Sequence, residues 1–384
     1  MDNTQDIITQ MLKNLKEEYI KMGHVNIIVA GKTGVGKSTL VNAVFGQKIA
    51  KTGTGRPVTQ ELKEITVPNY PLRIYDTVGL ELNEDQQKRV KDDIINLIRE
   101  KNVYGDIDSQ IHCIWYCVNG SSSRFEIEEE KFVRELATEA NIPVIIVITQ
   151  AIGKRAKDLQ KCIDEMNLPI HKSFCVLAED YEVDEDYTKK AYGCDTLVDY
   201  MAEILPQYAL NAFINAQVAS LKAKRKKAQF TIASAATAAF GEGFIPLPFA
   251  DAAALIPTEI SMIAAITAIY GMDIKKSTMT AIITSLLGST AATIAGKTIV
   301  ANMLKFIPGF GTAVGGAVSG GTATVLTLAL GETYIGIMEK MMKGEVTEQQ
   351  LENKKYLDDY SKQFKDNMKN ADNMKEKYDI QLKK

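Results

Sequence analysis

An α/β domain with a mainly parallel sheet, followed by an all-α domain, is the fold class that this sequence predicts. Three observations carry it. From about Val25 to Pro206, short runs rich in Val, Ile and aromatics alternate with amphipathic stretches of helical period. GKTGVGKST, Gly31 to Thr39, is a glycine-rich loop set between one such run and a helical pattern. After Pro206 the β-branched runs give way to Ala, Thr, Gly, Ile and Met, with almost no charge over long stretches. A chain of 384 residues exceeds one ordinary core. Its segments read as an N-terminal amphipathic helix over 1–24, an α/β domain over 25–205, an apolar Gly/Ala-rich helical domain over 206–343 and a charged helical tail over 344–384.

Taken in order, Ile7, Ile8, Met11, Leu12, Leu15 and Tyr19 put one apolar stripe on a polar helix, packed on the following domain. This N-terminus lacks the apolar core of a signal peptide. HVNIIVA, ELKEITVP, LRIYDTVG, IHCIWYCV, IPVIIVIT and SFCVLA read as strands. Only NYP joins the second and third, too short for a crossover, so they form an antiparallel hairpin. STLVNAVFG, RFEIEEEKFVRELATEA and AKDLQKCIDEMN read as helices, with EIEEEK a solvated face. Beyond Pro206, breaks are expected at Pro246-Leu247-Pro248, Pro257, Gly271 and Pro308-Gly309. Val346, Leu351, Tyr356, Leu357, Tyr360, Phe364 and Met368 then mark an amphipathic helix.

Net charge is -3, so the molecule has no overall basic field for nucleic acid, and none is expected as a partner. Five cysteines form no CxxC pair and read as reduced, buried thiols. His24, His112 and His171 form neither a catalytic dyad nor a metal cluster in the sequence.

Gly31, Lys32, Thr33, Gly34, Val35, Gly36, Lys37, Ser38 and Thr39 match G-x-x-x-x-G-K-[ST] in full, with a strand before and a helix after. Backbone amides and the helix N-terminus then converge on one anion, which marks a nucleotide site. Lys37 supplies charge between the β- and γ-phosphates, and the Ser38 hydroxyl ligates Mg²⁺. About forty residues on, LRIYDTVG ends in D-x-x-G: Asp76 holds Mg²⁺ through water, and the Gly79 amide meets the γ-phosphate. Between them TGTGRPVTQ is a flexible segment carrying Thr59. Thr59 reads either as a metal- and γ-phosphate-sensing hydroxyl or as the cap of strand ELKEITVP.

With these motifs the first two hundred residues resemble a translation-factor-class P-loop GTPase of the Era-like type, with some similarity to immunity-related GTPases. PLPFADAAALIPTEISMIAAITAIYGMDI and IPGFGTAVGGAV resemble a helical domain of unknown function fused to such GTPases in bacteria. The resemblance implies a P-loop NTPase G domain with GTP/GDP and Mg²⁺ as ligands, and GTP hydrolysis through Lys37, Thr59, Asp76 and Gly79. It also implies a cytoplasmic, bacterial protein that pairs through its G domains or its helical domain.

Two positions depart from the family pattern. Where a water-orienting glutamine follows DxxG, this chain has Leu80, which implies slow hydrolysis unless Glu81, Arg124, a partner or a second copy supplies a polar group. Where the family reads guanine with N/T-K-x-D, this chain has TQAI: Thr149 and Gln150 fit the first two positions, but Ile152 accepts nothing. The Ala178 amide, with a carboxylate such as Asp180, is the remaining candidate for base contact. GTP is favoured by the resemblance; an ATP-binding or non-hydrolysing scaffold is the alternative.

FIPGFGTAVGGAVSGGTATVLTLALG, from Phe306 to Gly331, carries no charge and exceeds the roughly twenty residues a bilayer needs. Its Gly-xxx-Gly spacings suit close helix contact, and KAKRKK (Lys222 to Lys227) reads as an exposed helix or an anionic-lipid site. Against insertion, the run is rich in small residues, and its neighbour carries Asp251 and Glu259. A buried helical core and a dynamin-like module, peripheral or integral at the inner membrane and facing anionic lipid, both stay open.

Overall fold

The computed structural model describes residues 3–46, 49, 54–67, 70–77, 84–102, 106–122, 124–242, 252–287, 320–370, 373, 376 and 378. Its elements are α1 (Asn3–Lys21), β1 (Val25–Ala30), α2 (Lys37–Phe45), β2 (Thr54–Pro57), β3 (Leu62–Thr66), β4 (Leu72–Thr77), α3 (Glu84–Lys101), β5 (Cys113–Asn119), α4 (Ile127–Ala140), β6 (Val144–Thr149), α5 (Gly153–Glu165), β7 (Lys172–Cys175), β8 (Tyr181–Glu182), β9 (Thr188–Lys189) and α6 (Cys194–Ile204). There follow α7 (Gln207–Ala216), α8 (Leu221–Glu242), α9 (Ala252–Tyr270), α10 (Lys276–Leu287), α11 (Gly320–Met342), α12 (Glu348–Leu351) and α13 (Lys354–Lys369). Contacts divide the chain into two units, 22–223 and 1–21 with 224–384.

In the first unit β6 is an uninterrupted apolar run buried along its whole length, and β1 is equally buried, its one polar residue Asn26 donating to the carbonyls of Asp108 and Gln110. The strand order is β2-β3-β4-β1-β5-β6-β7. From β4 to β7 every pairing is parallel; β3 runs antiparallel to β4, as a connection of only five residues, 67–71, requires. Alternation along β5 sorts its side chains. Ile114, Tyr116 and Val118 face a core built with α3, α4 and α5. Trp115 faces the other way and stacks on Phe45 of α2, which meets Phe213 of α7 edge-on. The segment read as flexible before Thr59 contains β2, paired antiparallel with β3. Its Gly and Pro content hid it, yet Pro at an edge strand leaves no ladder bond unmade.

Contrary to what its stripe suggested, the N-terminal helix does not belong with the domain that follows it: in the second unit α1 lies on α9 and α10, with Ile8, Met11 and Leu15 buried and Asn14 donating to Ser261 Oγ at 3.0 Å. α11 packs on α9 and α13, and α13 buries Leu357, Tyr360, Phe364 and Met368 at helical spacing. Gly271 ends α9 as expected, but Pro257 does not break it. That proline sits in the helix's second turn, where it forfeits one backbone bond, and the helix continues beyond it to Tyr270. The proline pairs at 246–248 and 308 lie outside the described residues.

Among the described residues no helix is long and apolar enough to cross a membrane, which counts against the integral-membrane expectation for the part of the run from Phe306 to Gly331 that lies in α11; residues 288–319 lie outside the described residues. The basic run KAKRKK is only partly an exposed face: Lys222 and Lys226 are exposed, but two of its cations turn inward. Lys224 is wholly buried, donating to the Ile269 carbonyl at 2.8 Å, and burial pulls its ammonium down to about 7. Arg225 pairs with Glu339 at 2.8 Å and Glu332 at 3.3 Å. These cations face protein, because α8 turns that side toward α9 and α11.

Small residues do bring helices close. A Cβ added to Gly331 of α11 would lie 2.5 Å from Ile232 Cγ1 of α8. Gly331→Val is expected to destabilise the helical unit by about 1–3 kcal/mol through overpacking, read as a lower urea midpoint. In the first unit, His112 Nδ1 accepts the Asn26 amide at 3.0 Å, and burial lowers its pKa from 6.5 to about 4. The unfolded chain therefore binds a proton that the folded one refuses, so stability falls as pH drops from 6.5 toward 4. The loss approaches about 3 kcal/mol. Urea titrations at pH 7 and pH 5 should show a smaller difference in His112→Gln than in the natural chain.

Candidate functional site

β1 and β4 run parallel side by side, with Val29 in register with Asp76, so the loop after β1 and the end of β4 emerge together. Gly31 has φ 142, and a Cβ there would lie 2.4 Å from the Cys117 carbonyl oxygen, so only glycine fits this turn. Gly36 caps α2 with φ 95 and offers no side chain to its first amides. Those amides are left for an anion. Lys37 Nζ donates to the carbonyls of Gly31 at 2.8 Å and Lys32 at 3.1 Å, folding its ammonium over the loop. Ser38 is exposed on the first turn of α2 and Thr39 half-buried beside it; Thr33 and Gly34 are exposed, and Val35 is buried.

Asp76 Oδ1 is buried and, among the described residues, has no hydrogen-bond partner. Burial raises its pKa, opposed by Lys37 and by Lys63, which sits opposite it on β3. A buried carboxylate oxygen without a donor, within electrostatic range of the P-loop lysine, fits a hydrated divalent cation. Ser38 and Asp76 are the residues that would hold it. Thr59 is not brought to that point in this structure: its Oγ1 accepts the Glu61 and Leu62 amides, both at 3.1 Å, and so caps β3. Gly79, Leu80 and Glu81 lie outside the described residues, and Arg124 is exposed.

The end of β6 braces the loop from behind. The Thr149 hydroxyl donates to the carbonyls of Val35 and Val118. Gln150, held at φ 49, donates from Nε2 to the Gly34 carbonyl at 3.1 Å. Ile152 is the cap residue of α5 and contributes no side-chain hydrogen bond. Ala178, after β7, is half-buried. Asp180 is engaged locally: it accepts from Lys190 Nζ and the Ala191 amide at 2.8 Å each, which lower its pKa.

Sequence reasoning missed a second brace. Lys32 ion-pairs with Glu126 and, at 3.3 Å, with Glu129, and Tyr116 donates to Glu129 Oε1 at 3.1 Å. Burial would lower the lysine's pKa, but the two carboxylates outweigh it and the shift is upward. Glu129 is only 5% exposed, so the EIEEEK run is not wholly a solvated face. The signal was present: Glu129 stands at i to Phe132, Val133 and Leu136, on the apolar side of α4. Glu129→Gln removes the buried partner and should lower the unfolding free energy of the first unit by about 2 kcal/mol. Glu126→Gln, at a more exposed carboxylate, should cost under about 1 kcal/mol. Parallel urea titrations distinguish the two.

Comparison with known proteins completes the description. Residues 26–150 match the family model described as 50S ribosome-binding GTPase, and residues 211–363 match one described as a domain of unknown function. Cell division control protein 11 of Saccharomyces cerevisiae is 26% identical over 211 residues, covering 46% of this chain and 50% of its own. Neuronal-specific septin-3 of Danio rerio is 24% identical over 178 residues, covering 39% and 48%. Human Septin-9 is 26% identical over 166 residues, covering 36% and 28%. The chain thus spans about half or less of the length of these relatives. Among solved structures, a probable GTP-binding protein engB aligns at 20% identity and TM-score 0.31, over 47% of this chain and 98% of that one. Era in complex with MgGDPNP and a 16S ribosomal RNA segment aligns at 20% and 0.31, over 48% and 58%. With its complete phosphate loop and the family match over 26–150, the first unit carries a G domain of the P-loop GTPase class.

Proposed function

We propose that this protein is a Mg²⁺-dependent, slowly hydrolysing GTP switch of the Era-like type, whose G domain controls the helical domain as an effector or docking module. One observation supports it above others: the uncapped start of α2, the Lys37 ammonium and the partnerless Asp76 oxygen meet around one loop. That combination suits a triphosphate and a divalent cation better than any other ligand pair.

In this reading the loop amides and the α2 N-terminus bind the β- and γ-phosphates, and Lys37 leaves the Gly31 and Lys32 carbonyls for phosphate oxygens. Ser38 and Asp76 would hold Mg²⁺, which would neutralise phosphate charge when bound. Thr59 leaves its turn to close over the γ-phosphate, and Gly79 of DTVG is the residue whose amide would meet that group. Water attacks the γ-phosphorus, a new O–P bond forms, and the bond to the β-phosphate oxygen breaks to release GDP and phosphate. Leu80 gives that water no polar partner, so turnover is slow until a second copy or another protein supplies one.

Thermal unfolding tests the ligand. GTP with Mg²⁺ at about a hundred times Kd should stabilise the protein by about 2.7 kcal/mol, and chelation by EDTA should remove most of that shift. Greater protection by ATP than by GTP would overturn the guanine assignment. Lys37→Ala should weaken binding on the order of a hundredfold, as losing about 3 kcal/mol of charge-assisted contact implies. Phosphate release per molecule should rise with protein concentration; constant turnover per molecule would sink self-activation.

A further inference from the structure

The ribbon β8–β9 leaves the end of β7 and shows a patterned face to solvent. Tyr181 pairs with Lys189, and the Val183 amide donates to the Tyr187 carbonyl at 2.9 Å. Strand alternation therefore puts Tyr181, Val183 and Tyr187 on one side. They are 47%, 48% and 53% exposed, a rare density of bare apolar surface on a ribbon two residues wide. Around them lie Glu179, Glu182, Asp184, Glu185 and Asp186; of the ribbon's two cations, Lys190 is taken by Asp180 and Lys189 lies over the Tyr192 ring. A two-stranded ribbon of this length is not stabilised by its own pairing.

The complementary surface sits beside it. α5 has no acidic residue in its first turn and no side-chain cap, yet it carries exposed Lys154, Arg155 and Lys157 there. Cations at a helix N-terminus oppose the macrodipole, so local stability does not account for them. Among the described residues these three cations and the carboxylates of Asp184, Glu185 and Asp186 enter no ion pair. Both features stand at the same end of the sheet, because β6 and β7 are parallel neighbours. The Ala151 amide donates to the Val176 carbonyl at 3.1 Å, and the Tyr192 hydroxyl donates to the Ala151 carbonyl at 2.8 Å, tying the two loops together.

We propose that this face docks a second copy of the chain about a twofold axis, the tyrosine face and acidic rim of each ribbon meeting the basic first turn of α5 in the other. One surface carries both halves of a complementary pair side by side, and a twofold axis satisfies both at once. This names the surface for the self-association invoked in the proposed function, and it does not depend on which nucleotide binds.

Charge reversal tests it with the full chain by sedimentation velocity at low ionic strength. One variant carries Asp184→Lys, Glu185→Lys and Asp186→Lys; the other carries Lys154→Glu, Arg155→Glu and Lys157→Glu. The natural chain should dimerise, and high salt should weaken the dimer. Each variant alone should be monomeric, while the two mixed should form a one-to-one dimer, since both contacts are then complementary again. Tyr181→Ser with Tyr187→Ser should also reduce dimerisation without changing charge, and it keeps the test open if a reversed variant fails to fold. A natural chain that stays monomeric, variants that dimerise as it does, or a mixture of folded variants that does not pair would each overturn the proposal. Fluorescent GTP binding by the ribbon variant, measured alongside, separates a failed interface from a failed nucleotide assignment.

Discussion

The P-loop spends its carbonyl oxygens so that its amides stay open. Gly34 gives its to Gln150 and Val35 gives its to Thr149, while Gly31 and Lys32 hold the Lys37 ammonium in reserve for a phosphate. In a peptide unit the carbonyl and the amide point in opposite directions, so anchoring one side of a loop to the protein turns the other side outward. An anion site made of backbone needs that condition, since an amide paired within the protein has nothing left for a phosphate. The neighbouring strands serve this end: β6 delivers the two side chains that hold Gly34 and Val35, and β5 crowds Gly31 into a turn that admits no Cβ.

The helical unit solves a different problem with related means. Its helices are rich in small residues, and at Gly331 the missing side chain leaves room for Ile232 of α8 to pack directly on α11. Close approach of this kind would serve in lipid as well as in a protein core. The buried polar groups decide for α8, α9 and α11. Glu332 accepts from Gln229, Arg225 and Tyr378, and Thr267 and Tyr334 share a hydrogen bond of 2.7 Å between helices. Such groups are satisfied by one another, in a network that ties α8, α9 and α11 together, and their exposure to hydrocarbon would leave charges unanswered.

The parallel core strands could be read from the chain because each is a short run rich in Val, Ile or aromatics between helical stretches, and the loop after β1 because its fixed glycines, lysine and serine stand between a strand and a helix. The β3–β4 hairpin followed from a connection too short for anything else. What escaped were features set by partners distant in sequence. β2 is a strand only because β3 offers it an edge; alone, TGRP carries turn residues. Glu129 looked like one more surface acid until α4 was docked with that side against the P-loop. The run KAKRKK looked solvated because neither Ile269 nor Glu339, which receive Lys224 and Arg225, lies near it in the chain. Charge alone does not reveal whether a cation faces water or a buried acceptor.

Lys32 shows how such pairing bears on chemistry. Two lysines in one phosphate loop suggest a strongly cationic site. Glu126 and Glu129 answer the first of them, so Lys37 is the loop cation left to a polyphosphate. Phosphoryl transfer develops charge on the oxygens around the γ-phosphorus, and rate follows how well fixed positive charge meets it. In the reading proposed above, a G domain whose spare cation is already neutralised, and whose residue after DTVG is Leu80, would hold a nucleotide more readily than cleave it. Its hydrolysis then waits on groups from outside the loop, and the second copy proposed at the β6–β7 end of the sheet would bring its surface to the same end from which the P-loop emerges.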